Sequence, residues 1–358
     1  MFSPYNVVHI LKHCNFSNGH VHVAVDLACE QARRGYNVVF ASAGGTYVRL
    51  LESSGVHHTS LSHSKARIPQ DLFTLRRLIS RRSPVVLHAH MMTSAVLGYM
   101  ATRLFGGAIV TTVHNSFDRH SMLMRLGDRV VAVSEAEEKL LLAKNYNPER
   151  LSVVLNGPIG SPRVRAAPAE PLDLPHPCII SVSGLHERKR VQDVIKAFST
   201  ITNEFPKWSL VIVGAGPDEM LLKQYVSDIS LTKRVVFTGP LQNAMNALRQ
   251  ADIFISLSEA EPFGLNVVEA RESGCAIIVS KVGGMPEIVD YGRSGVIVPA
   301  RDVGAAALAL RDLLSSASNL SYWRNAAKRD LGRFEIKRMA EDYEAVYSKA
   351  LSCRYKVS

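Results

Sequence analysis

The sequence predicts an α/β protein built from two Rossmann-like domains that face each other across a cleft. The chain has 358 residues, the length of about two ordinary domains. Short β-branched runs alternate with helical patterns along both halves, which is typical of parallel sheets covered by helices on both faces. A proline-rich stretch that shows neither a strand pattern nor a helix pattern separates the two halves.

The first half alternates strand and helix patterns from its beginning. The clearest helix covers residues 21–34, because its apolar residues recur at helical spacing and Gly35 follows as a C-cap. The other predicted elements are strands at 5–11, 38–42, 85–89, 109–113 and 130–133 and helices at 72–82 and 135–144.

The interruption lies between Pro158 and Pro177, where six of the 16 prolines fall. We place a linker at 161–177, between an N-terminal domain at 1–160 and a C-terminal domain at 178–339, and expect a C-terminal helix at about 340–358 to rejoin the first domain. The second half has strand patterns at 178–182, 210–213, 235–238, 251–257, 276–280 and 295–298 and helical patterns at 192–201, 267–273 and 321–351. Ligands bind at the carboxyl ends of strands in open α/β sheets, so the cleft is the expected site.

The charge balance favours anionic partners. The chain has 42 Lys and Arg against 32 Asp and Glu, a net charge of +10, and residues 1–175 carry +7 of it. Nucleic acid, an anionic membrane and phosphorylated small molecules all fit that charge. The five cysteines lack metal or redox spacing, which favours a reducing compartment over a disulfide framework or a zinc site. No signal peptide or membrane span is predicted, so we expect a cytoplasmic protein.

The most informative segment is 261–269, EPFGLNVVE, which follows a strand pattern and opens a helix. Pro262 favours an extended Glu261, and Gly264 allows close backbone approach. The free N–H groups that begin this helix would form an anion site. Glu269 lies about one turn further, within reach of nucleotide sugar hydroxyls. The structural alternative is a strand–loop–helix unit with two solvated carboxylates.

This segment is similar to the Glu-x7-Glu signature of retaining glycosyltransferases with the GT-B fold, especially glycosyltransferase family 4. The resemblance extends over nearly the whole chain. The stretches LVIVGAGP (210–217), VVFTG (235–239), ADIFISL (251–257), VGGMPEIV (282–289) and GVIVPARD (295–302) look like that family, in its order.

The resemblance implies roles for residues of the second half. Glu261 matches the residue that faces the transferred sugar, and Glu269 matches the one that holds the nucleotide ribose. Lys189 matches the lysine that pairs with the diphosphate. The family usually has an arginine where this chain has Gly184, so Arg188 or Arg190 would supply that charge. The backbone that meets the sugar and diphosphate is matched by Phe263, Gly264 and Leu265.

The first half matches less closely. Asn18-Gly19 is similar to the family's Gly-Gly loop, with Asn18 in place of the first glycine and left-handed φ expected to be tolerated there. His114 matches a histidine that faces the sugar, and its structural alternative is a hydrogen-bonded residue at a strand end. Ser134 is a candidate helix N-cap.

Eleven of the 13 histidines precede the linker. His88 and His90, two apart on a strand, point to one side and could suggest a metal. No third ligand is apparent in the sequence, so we favour a packed or cleft-lining pair.

The resemblance implies transfer of a hexose-type sugar, with retained anomeric configuration, from a UDP- or GDP-sugar to a lipid-linked or polysaccharide acceptor in surface glycan or lipopolysaccharide synthesis. It implies neither a bound metal nor any other cofactor, since cations and a helix N-terminus do that electrostatic work. Another GT-B enzyme, such as a nucleotide-sugar epimerase, and a basic nucleic-acid-binding protein are the alternatives.

The acceptor is expected on the N-terminal domain. A basic helix there could rest on an anionic membrane, at the cytoplasmic face, or meet a phosphorylated acceptor, and a solvated helix face is the alternative. Only Asp71 opposes its charges. The basic residues in or beside this helix are Lys65, Arg67, Arg76, Arg77, Arg81 and Arg82.

Overall fold

The computed structural model describes residues 6–16, 18–81, 84–166 and 172–355. These residues form two compact units. The first contains the described residues up to Ala166 together with those from Arg333 onward, and the second runs from Leu172 to Gly332. The expected boundaries at 160, 178 and about 340 lie several residues from these, and Arg82 lies outside the described residues.

Each unit has one sheet in which all described pairings are parallel. The first contains β1 (Asn6–Ile10), β2 (Asn37–Ser42), β3 (His57–Ser60), β4 (Val85–Ala89), β5 (Ala108–Val113), β6 (Arg129–Ala132) and β7 (Leu151–Val153). The second contains β8 (Cys178–Val182), β9 (Ser209–Val213), β10 (Val235–Gly239), β11 (Ile253–Ser256), β12 (Ala276–Ser280) and β13 (Val296–Val298).

The strand orders are β3-β2-β1-β4-β5-β6-β7 and β10-β9-β8-β11-β12-β13. In each sheet the chain moves outward in one direction, returns to the centre, and continues in the other. The strand order therefore reverses between β1 and β4 in the first sheet and between β8 and β11 in the second. Ligand sites of doubly wound sheets lie outside the carboxyl ends of strands at such reversals.

Helices accompany both sheets. The first unit has α1 (Gly19–Arg33), α2 (Val48–Ser53), α3 (Ile68–Arg81), α4 (Met92–Phe105), α5 (Glu135–Ala143) and α6 (Pro162–Ala166). The second has α7 (Val191–Ser199), α8 (Glu219–Asp228), α9 (Met245–Leu248), α10 (Leu265–Ser273), α11 (Met285–Ile288), α12 (Val303–Leu314) and α13 (Ala317–Ala327). The chain then returns to the first unit as α14 (Ile336–Arg354). No helix among these residues is long and apolar enough to cross a membrane.

The prediction of one helix over 321–351 was wrong. Helix α13 ends at Ala327 and α14 begins at Ile336, because Asp330 has a left-handed φ of 50° and Gly332 follows it. Helix α14 packs on the first sheet and buries Tyr343 and Tyr347 completely.

The linker also contains a helix that its prolines did not indicate. Pro162 begins α6, a position where proline's fixed φ fits a helix. Arg163 on α6 donates from Nε to both carboxylate oxygens of Asp26 on α1 and from Nη2 to Oδ2 at 2.8 Å, and both side chains are buried. Tertiary anchoring therefore stabilises a helix too short to form alone.

Candidate functional site

The loop between β11 and α10 lies at the strand-order reversal of the second sheet. Gly264 ends this loop in a left-handed conformation, φ 114°, immediately before α10 begins at Leu265. Glycine is required there because a Cβ would be strained and would approach Val267 Cγ2 to 3.2 Å. The loop therefore turns sharply into a helix whose first N–H groups have no intrahelical partners.

Lys189 and Glu261 form an ion pair at this loop, Nζ to Oε2. Lys189 ends a single 3₁₀ turn after β8, and Glu261 follows β11, so adjacent strands bring the two residues together. Their side chains are 15% and 14% exposed. Both charged groups therefore remain partly accessible to solvent while they are paired with each other.

The two arginines beside Lys189 differ in their contacts. Arg188 Nη1 donates to the carbonyl oxygen of Ala260 at 2.8 Å, and the Glu259 N–H donates to the Arg188 carbonyl at 2.9 Å. Arg190 instead pairs with Asp193 of α7, Nε to Oδ2 2.8 Å. Of the two candidates for the charge absent at Gly184, Arg188 is hydrogen-bonded to the loop that carries Glu261, whereas Arg190 is paired with a residue of α7.

Glycines allow the neighbouring loops to pack against these residues. A Cβ on Gly283 would lie 1.8 Å from the carbonyl oxygen of Glu261, and the Gly284 N–H donates to that oxygen at 3.1 Å. A Cβ on Gly214 would lie 1.9 Å from the carbonyl oxygen of Ser183, next to Gly184. Close backbone packing therefore explains Gly214 in the GAGP stretch and Gly283 in the VGGMPEIV stretch.

The remaining predicted donor residues lie around the start of α10. Phe263 is buried, and Leu265 begins the helix. Glu269 is the fifth residue of α10 and half-buried. Asn266, whose side chain had no predicted role, donates from Nδ2 to the carbonyl oxygen of Val182 at 2.6 Å and so fixes α10 to the end of β8.

In the first unit, Gly19 is exposed at the first position of α1. Asn18 has φ −129° and ψ 135°, so its expected left-handed conformation is wrong: the chain enters α1 from an extended residue. Ser134 caps α5, since its side chain accepts a hydrogen bond from the Glu137 N–H at 3.0 Å, which confirms that prediction.

The structure adds a third histidine, His9, beside His88 and His90. Ring nitrogens of the three lie within 4.8 Å of one another, and all three side chains are buried. Both nitrogens of each ring already have protein partners, however: Gln31 and His90 for His9, Tyr347 and Thr112 for His88, and His9 and His114 for His90. A metal would have to break these hydrogen bonds, so the packed interpretation fits the geometry better than a metal site.

The basic helix α3 exposes Arg76, Arg77 and Arg81. The guanidinium of Arg77 lies 4.9 Å from the ring centroid of Phe73, which is 53% exposed. Asp71, the acidic residue expected to oppose these charges, does not lie at the surface with them. It is buried and accepts hydrogen bonds from the N–H groups of Ser62 and His63, 2.9 Å each.

Comparison with known proteins identifies the family. A family model described as Glycosyltransferase Family 4 matches residues 17–158, and one described as Glycosyl transferases group 1 matches residues 165–330. The chain belongs to the group 1, family 4 glycosyltransferases. Its two doubly wound sheets are those of the GT-B fold.

Individual relatives agree with this assignment. The glycosyltransferase is similar to N-acetyl-alpha-D-glucosaminyl L-malate synthase of Bacillus anthracis, with 26% identity over 92% of this chain and 93% of the relative. Anabaena HepE, solved with UDP and glucose, has a TM-score of 0.81 and 16% identity over 96% and 99% of the two chains. The lipopolysaccharide outer core galactosyltransferase WaaB has a TM-score of 0.74 and 18% identity over the same shares.

Proposed function

We propose that this glycosyltransferase transfers a hexose-type sugar from a UDP- or GDP-sugar to a lipid-linked or polysaccharide acceptor in surface glycan synthesis, with retention of the anomeric configuration and without a bound metal. The observation that carries the proposal is the Lys189–Glu261 pair beside the Gly264 turn, at the strand-order reversal of the second sheet. HepE, solved with UDP and glucose, supports a nucleotide-sugar donor.

The chemistry follows from the charges at this loop. A departing nucleoside diphosphate gains negative charge in the transition state, and fixed cations stabilise that gain. Lys189 and Arg188 supply the cations, and the free N–H groups of α10 add partial positive charge. Glu261 orients the transferred sugar and supports its oxocarbenium character. Glu269 holds the ribose hydroxyls.

Retention is consistent with the absence of an assigned general base. An oxygen of the donor phosphate accepts the acceptor's proton on the face from which the diphosphate leaves, so the new bond forms on that same face. Because Lys189, Arg188 and the start of α10 supply the positive charge at the diphosphate, we expect transfer to persist in excess EDTA. The anomeric configuration of the product, read by NMR coupling constants, equals that of the donor, and an inverted product would contradict the mechanism.

The donor is tested by thermal unfolding with UDP, GDP, ADP, TDP and CDP. A ligand at 100 times its dissociation constant adds about 2.7 kcal/mol of stability, which raises the melting temperature measurably. We expect UDP or GDP to do so. If none of the five nucleotides raises the melting temperature, the assignment of the donor site is contradicted. A separate incubation with the sugar nucleotide alone tests the alternative activity. Formation of a sugar epimer without any acceptor would indicate an epimerase.

The acceptor is proposed to reach the protein from an anionic lipid surface through α3. The exposed Phe73 beside the exposed Arg76, Arg77 and Arg81 combines an aromatic ring with three cations on one short helix. Each cation near such a surface contributes about 1 kcal/mol. The glycosyltransferase would then act as a peripheral protein on the cytoplasmic face.

Vesicle flotation tests this surface. Binding to vesicles with anionic lipid is expected to weaken at least tenfold when the three α3 arginines become serine. The matched control removes the same charge at exposed positions elsewhere in the first unit: Arg49→Ser, Lys139→Ser and Arg150→Ser. Equal weakening in both triple variants would attribute binding to net charge and contradict a role for α3.

A further inference from the structure

A chain of hydrogen bonds connects His114 to the interior of the first unit. His114 Nε2 lies 3.2 Å from His90 Nδ1, and His90 Nε2 lies 2.9 Å from His9 Nδ1. His9 Nε2 in turn lies 2.8 Å from Oε1 of Gln31. His9, His90 and Gln31 are buried. His9 lies on β1, and His90 and His114 directly follow the neighbouring strands β4 and β5.

The imidazoles of this chain are neutral. Burial lowers the pKa of His9 to about 4 and that of His114 to about 3, and it holds the pKa of His90 well below its usual range. A neutral imidazole has one N–H donor and one lone-pair acceptor. A histidine that donates a hydrogen bond from Nε2 must therefore accept one at Nδ1. All the hydrogen bonds between His114 and Gln31 consequently point the same way, from donor to acceptor.

Gln31 sets that direction. Its Nε2 donates to the hydroxyl of Tyr347 at 3.1 Å, so its Oε1 faces His9 and accepts. His9 then donates from Nε2 and accepts from His90, and His90 accepts from His114. The result is the Nε2–H tautomer at all three histidines, with the lone pair of His114 Nδ1 at the end of the chain.

A second branch holds Gln31 in place. The Tyr347 hydroxyl, which accepts from Gln31, lies 2.8 Å from His88 Nδ1 and donates to it. His88 Nε2 donates to Thr112 Oγ1 at 2.7 Å, and Thr112 lies 2.9 Å from the hydroxyl of Tyr343. Reversing the Gln31 amide would reverse every one of these bonds, so the tautomer of His114 is coupled to groups it does not touch.

The free end of the chain lies near a cavity at the carboxyl ends of the first sheet's strands. His114 is half-buried, and within the described part of the chain its Nδ1 has no hydrogen-bond partner. Its ring lies 6.1 Å, centroid to centroid, from that of His20. His20 lines a cavity of about 270 Å³ with Lys12, His13, Met91, Met92 and Thr93, at the strand-order reversal of the first sheet.

We propose that His9, His90 and Gln31 are positioning residues that hold His114 as its Nε2–H tautomer, so that His114 Nδ1 accepts a hydrogen bond from a hydroxyl of the sugar substrate. The assignment of a sugar rests on the proposed function. The tautomer does not. A hydroxyl can donate to this lone pair, whereas a phosphate or carboxylate oxygen cannot, and this selects the neutral part of a glycosyl substrate.

Long-range ¹H–¹⁵N NMR of histidine-labelled protein at pH 7.5 tests the tautomer directly. The two ring nitrogens of a neutral histidine differ widely in ¹⁵N shift according to which carries the proton. His114→Gln identifies the signals of His114. We expect the Nε2–H pattern at His114, and the Nδ1–H pattern would overturn the proposal even if the protein binds UDP.

Replacing Gln31 tests the coupling. Gln31→Met removes the anchor without touching His114, and we expect the His114 nitrogens to shift towards a mixture of tautomers. Cys29→Ala is the matched control, at a buried position on the same helix. Unchanged His114 shifts in folded Gln31→Met would overturn the role of Gln31.

Kinetics test the positioning. His90→Gln keeps one donor and one acceptor, whereas His90→Phe keeps neither. We expect kcat for sugar transfer to fall about tenfold in His90→Phe, the effect of one hydrogen bond, and to recover in His90→Gln, with the Kd for nucleoside diphosphate unchanged in both. Equal kcat in wild type and His90→Phe would overturn the positioning role. Absence of transfer by the wild type would instead contradict the proposed function and leave the NMR result valid.

Discussion

Lowering the pH from 7.5 to 5.5 is expected to destabilise the first unit by at least about 4 kcal/mol, because the unit contains several buried neutral histidines. Burial lowers the pKa of His9 and His20 to about 4 and that of His114 to about 3, and it holds the pKa of His88 and His90 well below the usual range. In the unfolded chain each returns to about 6.5. Below about pH 6.5 these histidines therefore bind protons in the unfolded state but stay neutral in the folded state.

The sign and size follow from this difference. A base with a lowered folded-state pKa stabilises the fold above its unfolded pKa, and that stability is lost as the pH falls from about 6.5 towards 4. For a folded pKa of about 4, the loss between pH 7.5 and 5.5 is about 1.3 kcal/mol per histidine. His9, His20 and His114 together give about 4 kcal/mol, a large part of the 5–15 kcal/mol typical of a domain, and His88 and His90 add to the loss in the same direction.

The chain offers its own internal reference. Both tryptophans, Trp208 and Trp323, belong to the second unit, whose two histidines, His176 and His186, are exposed. Urea unfolding followed by far-UV circular dichroism reports both units, and tryptophan fluorescence reports the second. We expect acid to move the dichroism transition to lower urea much more than the fluorescence transition.

Two variants assign the effect to buried histidine. His88→Gln removes one proton-accepting group, so the slope of unfolding free energy against pH between 5 and 6 should fall by about 1.2 kcal/mol per pH unit. His57→Asn, at an exposed position on β3, should leave that slope nearly unchanged. The same slope in wild type and His88→Gln would refute the reasoning.

Three further substitutions address the loop at the end of β11 and the start of α10. Glu261→Ala should lower kcat about a hundredfold with little change in nucleotide Kd, whereas Glu269→Ala should raise that Kd about tenfold, and equal mild effects on both constants would contradict these roles. Gly283→Ala should lower kcat about a hundredfold, because its methyl would lie 1.8 Å from the Glu261 carbonyl oxygen and displace the loop. Gly332→Ala, with no atom within 4 Å of the new methyl, is its control, and matching activities in the two glycine variants would exclude this packing role.

Much of the fold could be predicted because buried parallel strands are short apolar runs. Strands such as β4 and β12 lie where their sequence patterns indicated. Helix α4 was missed because its residues are apolar with little periodicity, and α6 because burial of the Arg163–Asp26 pair, not local propensity, stabilises it. Neither cause can be recognised in a single stretch of sequence.

The candidate site, like the fold, could be predicted from the sequence only in part. Glu261 and Gly264 lie in one continuous segment, so their arrangement could be predicted from sequence. The pairing of Lys189 with Glu261 needed the order of β8 and β11, although the family resemblance had indicated both residues. His9 and Gln31 were missed altogether, because each is far from His90 in sequence and only the adjacency of β1 and β4 brings them together.

A crystal structure of the glycosyltransferase with UDP or GDP bound would show whether the loop before α10 is the donor site. We expect the diphosphate at the first N–H groups of α10, within reach of Lys189 and Arg188, and the ribose hydroxyls on the carboxylate of Glu269. A nucleotide bound away from the carboxyl ends of β8 and β11, with these three side chains still in their unliganded contacts, would contradict it.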